Sequence, residues 1–284
     1  MHLPFAKMHG LGNDFVVIDA TRLPVSRLFR APPPALLHAL VDRRYGVGCD
    51  QVLVIDPPPD SDADFGYRIF NADGSESGQC ANGARCLARY VREHGLSRRK
   101  RLRVRTATTT MTLELLADGR VRADMGEPRF EPREIPLAAT PRQTRYRLRL
   151  PDGETLVYGA VGFGNPHAVI ETKDLERAPV QRIGRALQEH PAFPQKVNVG
   201  FVQFLSRTRA RLRVYERGAG ETLACGSGAC AAMAVGRLWG RLAARAEMQL
   251  RGGRLALEWP GAGESLWMTG PAQTVFEGNF RWPK

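Results

Sequence analysis

NADGSESGQCANGARCLARYVREHG (residues 71–95) and ERGAGETLACGSGACAAMAVGRLWG (residues 216–240) decide how this chain is read. Each holds a cysteine, Cys80 or Cys225, in the setting Cys-x-x-Gly-Ala. Each cysteine follows a loop containing Gly and Glu. Each opens a helix-like run that ends at a glycine fifteen residues on, Gly95 or Gly240. The small residues after each cysteine mark a helix start whose backbone N–H groups can approach an anion closely. The second run is apolar nearly all round, the pattern of a helix buried on most faces. Cys86 and Cys230 lie further along each run and read as core thiols.

Working outward, the match continues. GLGNDFVVI (10–18) parallels GFGNPHAVI (162–170), and CDQVLVID (49–56) parallels KVNVGFVQ (196–203), with Gln51 opposite Asn198. Asn13 precedes Cys80 by 67 residues and Asn165 precedes Cys225 by 60. Three matched elements in one order predict a duplication. The chain then has two homologous halves in a pseudo-two-fold relation. The boundary falls in DMGEPRFEPREIP (124–136), rich in Pro and charge. The first half covers 1–125, completed by a returning segment over 271–284; the second covers 126–270. Short β-branched segments with Gly or Asp-Gly turns predict strands in each half, and ADGR (117–120) predicts a hairpin turn. PPALLHALVDRRYG (33–46), closed by Gly46, predicts a further helix. ERAPVQRIGRALQEHP (176–191) is its partner in the second half. The predicted fold class is α/β in the α+β sense, each half a curled, mostly antiparallel sheet around a central helix.

The bulk composition sets outer limits. The chain has 284 residues, 43% hydrophobic and 25% charged, enough for two cores of ordinary size. No apolar run is long enough for a membrane span. The first residues, MHLPFAKMHGLGNDF, lack the features of a secretory signal, so a cytoplasmic location is expected. The five cysteines, at 49, 80, 86, 225 and 230, are odd in number and show no CxxC spacing. They read as reduced thiols, with no metal site. The net charge of +12 raises the question of nucleic acid. The basic residues, however, concentrate in SRRKRLRVR (97–105) and PRQTRYRLRL (141–150), where Arg alternates with apolar residues as on a half-exposed strand. No zinc-finger spacing or RNA-binding aromatic motif accompanies them. Neither a nucleic acid nor a membrane partner is expected, although such a surface would help draw in an anionic substrate.

The cysteines suggest the chemistry. A thiol at a helix N-terminus ionises more easily, and the thiolate is the reactive form. If the two halves face each other across a cleft, one thiolate and one thiol address opposite faces of a carbon acid. One takes its proton and the other returns one, so the centre inverts.

MHGLGNDFVVID, GVGCDQ, NADGSESGQCANGARC, GFGNPHAV and RVYERGAGETLACGSGACA together closely resemble the diaminopimelate epimerase family. The resemblance runs from the first ten residues to GPAQTVFEG and covers essentially the whole chain. It implies an epimerase that needs neither pyridoxal phosphate nor a metal and has no cofactor. Such an enzyme interconverts LL- and meso-2,6-diaminopimelate for lysine and peptidoglycan synthesis, as a homodimer. Carried over by motif, Cys80 and Cys225 are the acid/base pair. Asn13 and Gln51 line the substrate pocket, Asn165 binds substrate, and Asn71 and Asn198 contact its distal end. Glu216 and Arg217 recognise the distal amino acid centre, with Arg217 on its carboxylate. The backbone at Ala81–Asn82 and Gly226–Ser227 holds the carboxylate of the reacting centre, and His167 and Glu216 tune the thiols. A grip on the far end of a two-headed substrate would orient the reacting carbon.

The chain departs from the family pattern at four places. Ala81 stands where Gly is usual, and a positive φ there would strain the loop. Gly200 replaces a larger polar residue, Cys49 replaces Ala, and Phe276 replaces a Tyr associated with the dimer interface. Sister activities on the same fold, such as a proline or hydroxyproline racemase or a single-base isomerase, are the competing readings. Retention of both cysteines argues against the single-base type. The Glu216–Arg217 pair and Asn71 argue for a substrate with a distal zwitterion.

Overall fold

The computed structural model describes residues 1–22, 24–78, 80–139 and 141–282. Two compact units emerge: Met1–Ala123 with Gly270–Lys284, and Asp124–Thr269. Both are mixed α+β and mostly sheet.

In the first unit, β1 (His2–Gly10) and β2 (Asn13–Asp19) form an antiparallel hairpin. Its two turn residues, Leu11 and Gly12, have φ of 58° and 84°, as a primed hairpin turn demands. Glycine takes that conformation freely; Leu11 does so at a cost on the order of 1 kcal/mol. Helices α1 (Val25–Arg30) and α2 (Pro34–Val41) then cross to β3 (Gln51–Asp56), which lies parallel to β2 with Gln51 opposite Phe15. Strand β4 (Phe65–Asn71) runs antiparallel to β3, placing Asn71 opposite Gln51. A short β5 (Glu76–Ser77) leads into α3 (Ala81–Glu93), followed by β6 (Arg101–Arg105), β7 (Thr110–Leu115) and β8 (Val121–Asp124). The turn between β7 and β8 carries Gly119 at φ 80°, so the ADGR hairpin forms as the sequence predicts.

The second unit follows the same plan. Strands β9 (Tyr146–Arg149), β10 (Thr155–Gly162) and β11 (Pro166–Glu171) are antiparallel in succession. Helix α4 (Val180–Glu189) crosses to β12 (Asn198–Ser206), parallel to β11 with Asn198 opposite His167. Then come antiparallel β13 (Arg209–Glu216), β14 (Gly220–Thr222), helix α5 (Gly226–Leu238), β15 (Arg245–Leu250), β16 (Gly253–Glu258) and β17 (Trp267–Gly270). The repeat is visible in the register: the Phe15–Gln51 pair of one unit is the His167–Asn198 pair of the other. The chain finally returns as β18 (Gln273–Arg281), antiparallel to β1, with Phe276 opposite Lys7.

Each unit wraps its sheet against one helix. Residues Ala81 to Ala88 of α3 and Gly228 to Gly236 of α5 are buried without a break. Both helices close alike. Gly95 and Gly240 sit at φ 66° and 69°, and the next residue's N–H reaches back, Leu96 to the Val91 carbonyl and Arg241 to the Gly236 carbonyl. That is the six-to-one closure that glycine permits at a helix C-terminus.

Two predicted helices are shorter than their sequences suggested: the run 176–191 is helical only over Val180–Glu189, after Pro179, and the run 33–46 is cut back at its end. The run 33–46 stops at Val41, because Asp42 turns to φ −61°, ψ 120° and its carboxylate accepts from the backbone N–H groups of Arg44 and Tyr45. The local side-chain turn outcompetes the next helical turn. The basic stretches behave as strand faces. In β6, Leu102 and Val104 are buried while Arg101 and Arg103 face solvent; β9 alternates in the same way.

Candidate active site

Cys80 and Cys225 are each the N-cap of their helix, in extended backbone conformation. All five cysteines are unbridged. The shared Cys-x-x-Gly-Ala pattern has a separate physical reason in each unit. At α5, Gly228 lets its own N–H reach the Cys225 sulfur at 3.4 Å, and a Cβ there would lie 3.0 Å from Val214 and 3.2 Å from that sulfur. At α3, a Cβ on Gly83 would fall 2.2 Å from the Tyr67 hydroxyl, so the glycine makes room for that ring. Tyr67, fully buried in β4, donates to the Cys80 carbonyl at 2.9 Å. The same carbonyl accepts the first helical bond from Ala84. Tyr67 thus fixes the backbone that carries the thiol.

Two of the predicted polar residues, Asn13 and Asn82, lie beside Cys80, and two others, Gln51 and Asn71, pair with each other. The Cys80 Sγ donates to Asn13 Oδ1 at 3.7 Å, and Asn82 Nδ2 donates to the same oxygen at 3.2 Å. Gln51 Nε2 donates to Asn71 Oδ1 at 2.7 Å, and Asn71 Nδ2 donates to Ser75. Ala81 is the first residue of α3 and lacks positive φ, so the usual glycine is replaced without backbone strain. A charged cluster lies behind Asn13. Asp14 is bound by Lys7 at 2.6 Å and by both Nη atoms of Arg43, and Asp50 accepts from Arg43 and from Asn13 Nδ2. Burial opposes ionisation of Asp14, but the hydrogen bonds from Arg43 and Lys7 prevail and hold its carboxyl well below the usual range.

In the second unit, Cys225 is buried, and its thiol is hydrogen-bonded to the Glu216 carboxylate and lies 3.6 Å from Ser227 Oγ. Burial and the negative charge of Glu216 push this thiol well above its ordinary value, and the Ser227 and Gly228 contacts offset that only in part. This corrects the expectation that the helix N-terminus would ease its ionisation. Desolvation of a thiolate and a carboxylate beside it outweigh the helix dipole. Glu216 is held in turn by Thr222 Oγ1 at 2.5 Å.

The other predicted residues sort into two kinds. His167 and Asn198 are buried, Asn198 donating to the Pro166 carbonyl and accepting from the Arg217 backbone N–H at 2.9 Å. His167 pairs with Asn165 at 2.9 Å, and burial, aided by the Arg217 charge, pushes it down to about 3, so the ring is neutral. Of the two residues expected to tune the thiols, Glu216 is the one hydrogen-bonded to Cys225. The Arg217 guanidinium is exposed and donates to the Gln195 carbonyl at 3.1 Å. Among the described residues no carboxylate pairs with it, which leaves its fork open to a ligand. Gly200 would admit a Cβ at ordinary contact distance from Leu212. Cys49 is buried and pushed up to about 12, an inert core thiol. Phe276 lies on β18, 48% exposed, edge-on to Phe5.

Sequence reasoning missed Tyr67, Asp50 and Arg85. Tyr67 sits in a strand-like run with nothing to distinguish it from core. Asp50 and Arg85 lie inside quoted motifs, GVGCDQ and CANGARC. A charge in the middle of a buried helix was the readable signal for Arg85, which is fully buried. Among the described residues no group of three or more His, Cys, Asp or Glu side chains is placed to hold a metal ion.

Comparison with known proteins identifies the family. The chain is 52% identical over 283 residues to the diaminopimelate epimerase of Alkalilimnicola ehrlichii, covering 99% of each. Two solved structures share the fold alone. A hydroxyproline epimerase from Agrobacterium vitis matches with a TM-score of 0.70 at 17% identity, over 98% of this chain and 92% of that one. A probable proline racemase from Agrobacterium radiobacter matches with a TM-score of 0.70 at 16% identity, over 97% and 92%. The sequence profile described as diaminopimelate epimerase matches residues 5–131 and 159–275, and so this chain belongs to the diaminopimelate epimerase family.

Proposed function

We propose that this protein inverts one α-carbon of 2,6-diaminopimelate, interconverting the LL and meso forms, with Cys80 and Cys225 as its two proton carriers. The observation that carries the reading is the pair of cysteine N-caps, each surrounded by polar side chains, in a chain of this family. A thiolate takes the α-proton from one face, and the other thiol gives a proton to the opposite face; the roles exchange in the reverse reaction. Cys225, protonated by its burial and by Glu216, enters the cycle as the acid. Cys80 then enters as the base after releasing its thiol proton to solvent.

The remaining residues bind and orient. The N–H groups opening α3 and α5, at Ala81–Asn82 and Gly226–Ser227, hold the carboxylate of the reacting centre and stabilise the charge that develops as the α-proton leaves. Arg217 holds the distal carboxylate in a bidentate contact. Asn13, Gln51, Asn71, Asn165 and Asn198 supply hydrogen bonds to the two ammonium–carboxylate ends. No cofactor enters this scheme. No helix among the described residues is long and apolar enough to cross a membrane, and we assign the enzyme to the cytoplasm, where diaminopimelate serves lysine and peptidoglycan synthesis. We also assign it as a homodimer that uses the face carrying Phe276. Sedimentation would report a dimer that Phe276→Asp weakens.

The test of substrate is competition between candidates. Reduced enzyme should epimerise LL-diaminopimelate and leave L-proline and trans-4-hydroxy-L-proline unchanged. Inversion of either proline, with diaminopimelate untouched, would refute the assignment.

A further inference from the structure

Asn13 and Asn82 each have two ends, and nothing in an isolated amide decides which end faces the thiol. Here both are decided by charge. Arg85, fully buried, donates through Nη2 to Asn82 Oδ1 at 2.7 Å. A guanidinium only donates, so it fixes the Asn82 oxygen toward itself and sends the Asn82 NH₂ group toward Asn13. At the other end, Asp50 Oδ2 accepts from Asn13 Nδ2 at 3.0 Å. A carboxylate only accepts, so it fixes the Asn13 nitrogen toward itself and turns the Asn13 oxygen to Asn82 and Cys80. The run Arg85–Asn82–Asn13–Asp50 therefore has one polarity from end to end.

We propose that Asp50 and Arg85 are positioning residues that lock the polarity of the Asn13–Asn82 amide pair, so that a carbonyl oxygen, never an NH₂ group, faces the Cys80 thiol. An acceptor there stabilises the S–H form and opposes the thiolate. The same oxygen suits the ammonium group of an amino acid substrate. When that donor competes for Asn13 Oδ1, this acceptor is drawn away from the Cys80 thiol, which then gives up its proton more readily. The lock so couples formation of the base to arrival of the substrate.

Both ends are anchored independently of the thiol. Arg85 is further held by the Ala81 and Pro271 carbonyls, at 3.3 and 3.1 Å. Asp50 Oδ1 accepts from Arg43 Nη2, and its Oδ2 also accepts from the Asp14 backbone N–H. The second unit lacks the device. The residue five beyond its cysteine, where Arg85 stands in the first unit, is Cys230. The thiol there meets the Glu216 carboxylate instead.

This inference rests on the assignment of Cys80 as a proton carrier, and the test separates the two. The readout is the iodoacetamide alkylation rate of each cysteine in ligand-free, reduced full-length enzyme, followed by peptide mass spectrometry. In Asp50→Asn the charged Arg43 fork, which can only donate, retains the new amide's oxygen at the Oδ1 position, so the NH₂ group takes the Oδ2 position and faces Asn13 and the Asp14 N–H. Asn13 must turn over and present its own NH₂ to Cys80. Alkylation of Cys80 should rise at least about threefold, with Cys225 unchanged. In Asn82→Asp the acceptor for Arg85 stays, Asp50 still holds Asn13 Nδ2, the donor to Asn13 Oδ1 is replaced by a carboxylate oxygen, and a negative charge is added near the thiol. Alkylation of Cys80 should then slow by at least about threefold. Opposite shifts confined to Cys80 support the lock. Unchanged rates, shifts of the same sign in both variants, or equal changes at Cys80 and Cys225 overturn it. Either variant alone decides if the other fails to fold. Cys80→Ser is assayed in parallel: wild-type epimerisation by that variant would remove the proton-carrier assignment, while the alkylation rates would still judge the lock.

Discussion

Glu216 and Cys225 show how a single neighbour reverses an expectation drawn from position alone. A cysteine at a helix N-terminus reads as an acidic thiol, yet this one is pushed up by burial and by the carboxylate it touches. Removing that carboxylate should act in one direction. In Glu216→Gln the charge is lost, and the one remaining oxygen can stay on Thr222 Oγ1 and turn an NH₂ group to the sulfur, so the Cys225 thiolate should form at lower pH, by about one unit or more. Ultraviolet thiolate absorbance against pH, taken as the difference from the same background carrying Cys225→Ser, reads this directly. An unchanged midpoint would mean that burial alone sets the thiol. The sequence named both residues, but their contact spans a strand, a turn and a loop. No spacing rule places a β13 carboxylate on an α5 cap. Arg217 is the opposite case: its guanidinium is exposed and donates to the Gln195 carbonyl.

At the scale of elements, the paired cysteine helices were legible almost to the residue, because small residues and a closing glycine bracket each one. The duplication was also legible, since the motif alignment that set Gln51 against Asn198 is the alignment that the strand registers show. What could not be read was why the third residue after each cysteine is glycine. The reason lies in β4 for one helix and in the cap itself for the other. Gly83→Ala should cost about 1–3 kcal/mol by driving a methyl into the Tyr67 hydroxyl. Adding Tyr67→Phe to that variant removes the clashing oxygen and should recover part of the loss, which denaturant unfolding of the four members of the cycle would measure. Simple additivity of the two substitutions would contradict the contact. The helix over 33–46 was over-read for the opposite reason: the Asp42 side-chain turn is too local for an apolar pattern to reveal.

At the scale of the molecule, the two units repeat one plan but differ in charge at the cysteine caps. Cys80 lies among amides backed by Asp50 and Arg85, while Cys225 lies against Glu216. Two carriers with different surroundings suit a reaction that needs one proton removed and another returned. If both serve one carbon, an oxidant should join them. Treatment with diamide should abolish activity and yield a Cys80–Cys225 crosslinked peptide, and dithiothreitol should restore activity. Full activity with both thiols confirmed oxidised would contradict the scheme. The excess of basic residues remains a property of the strand faces, where ion pairs such as Arg101–Glu114 and Arg245–Glu258 answer part of it.

The most direct measurement is proton NMR of LL-diaminopimelate in D₂O with reduced enzyme and no added cofactor, comparing wild type with Cys80→Ser and Cys225→Ser. The expected result is meso isomer carrying deuterium at one α-carbon from wild type, slowed by at least about a hundredfold in each variant. Well-folded, reduced wild type that neither exchanges nor epimerises would contradict the substrate assignment. Wild-type rates in either variant would contradict the two-thiol mechanism.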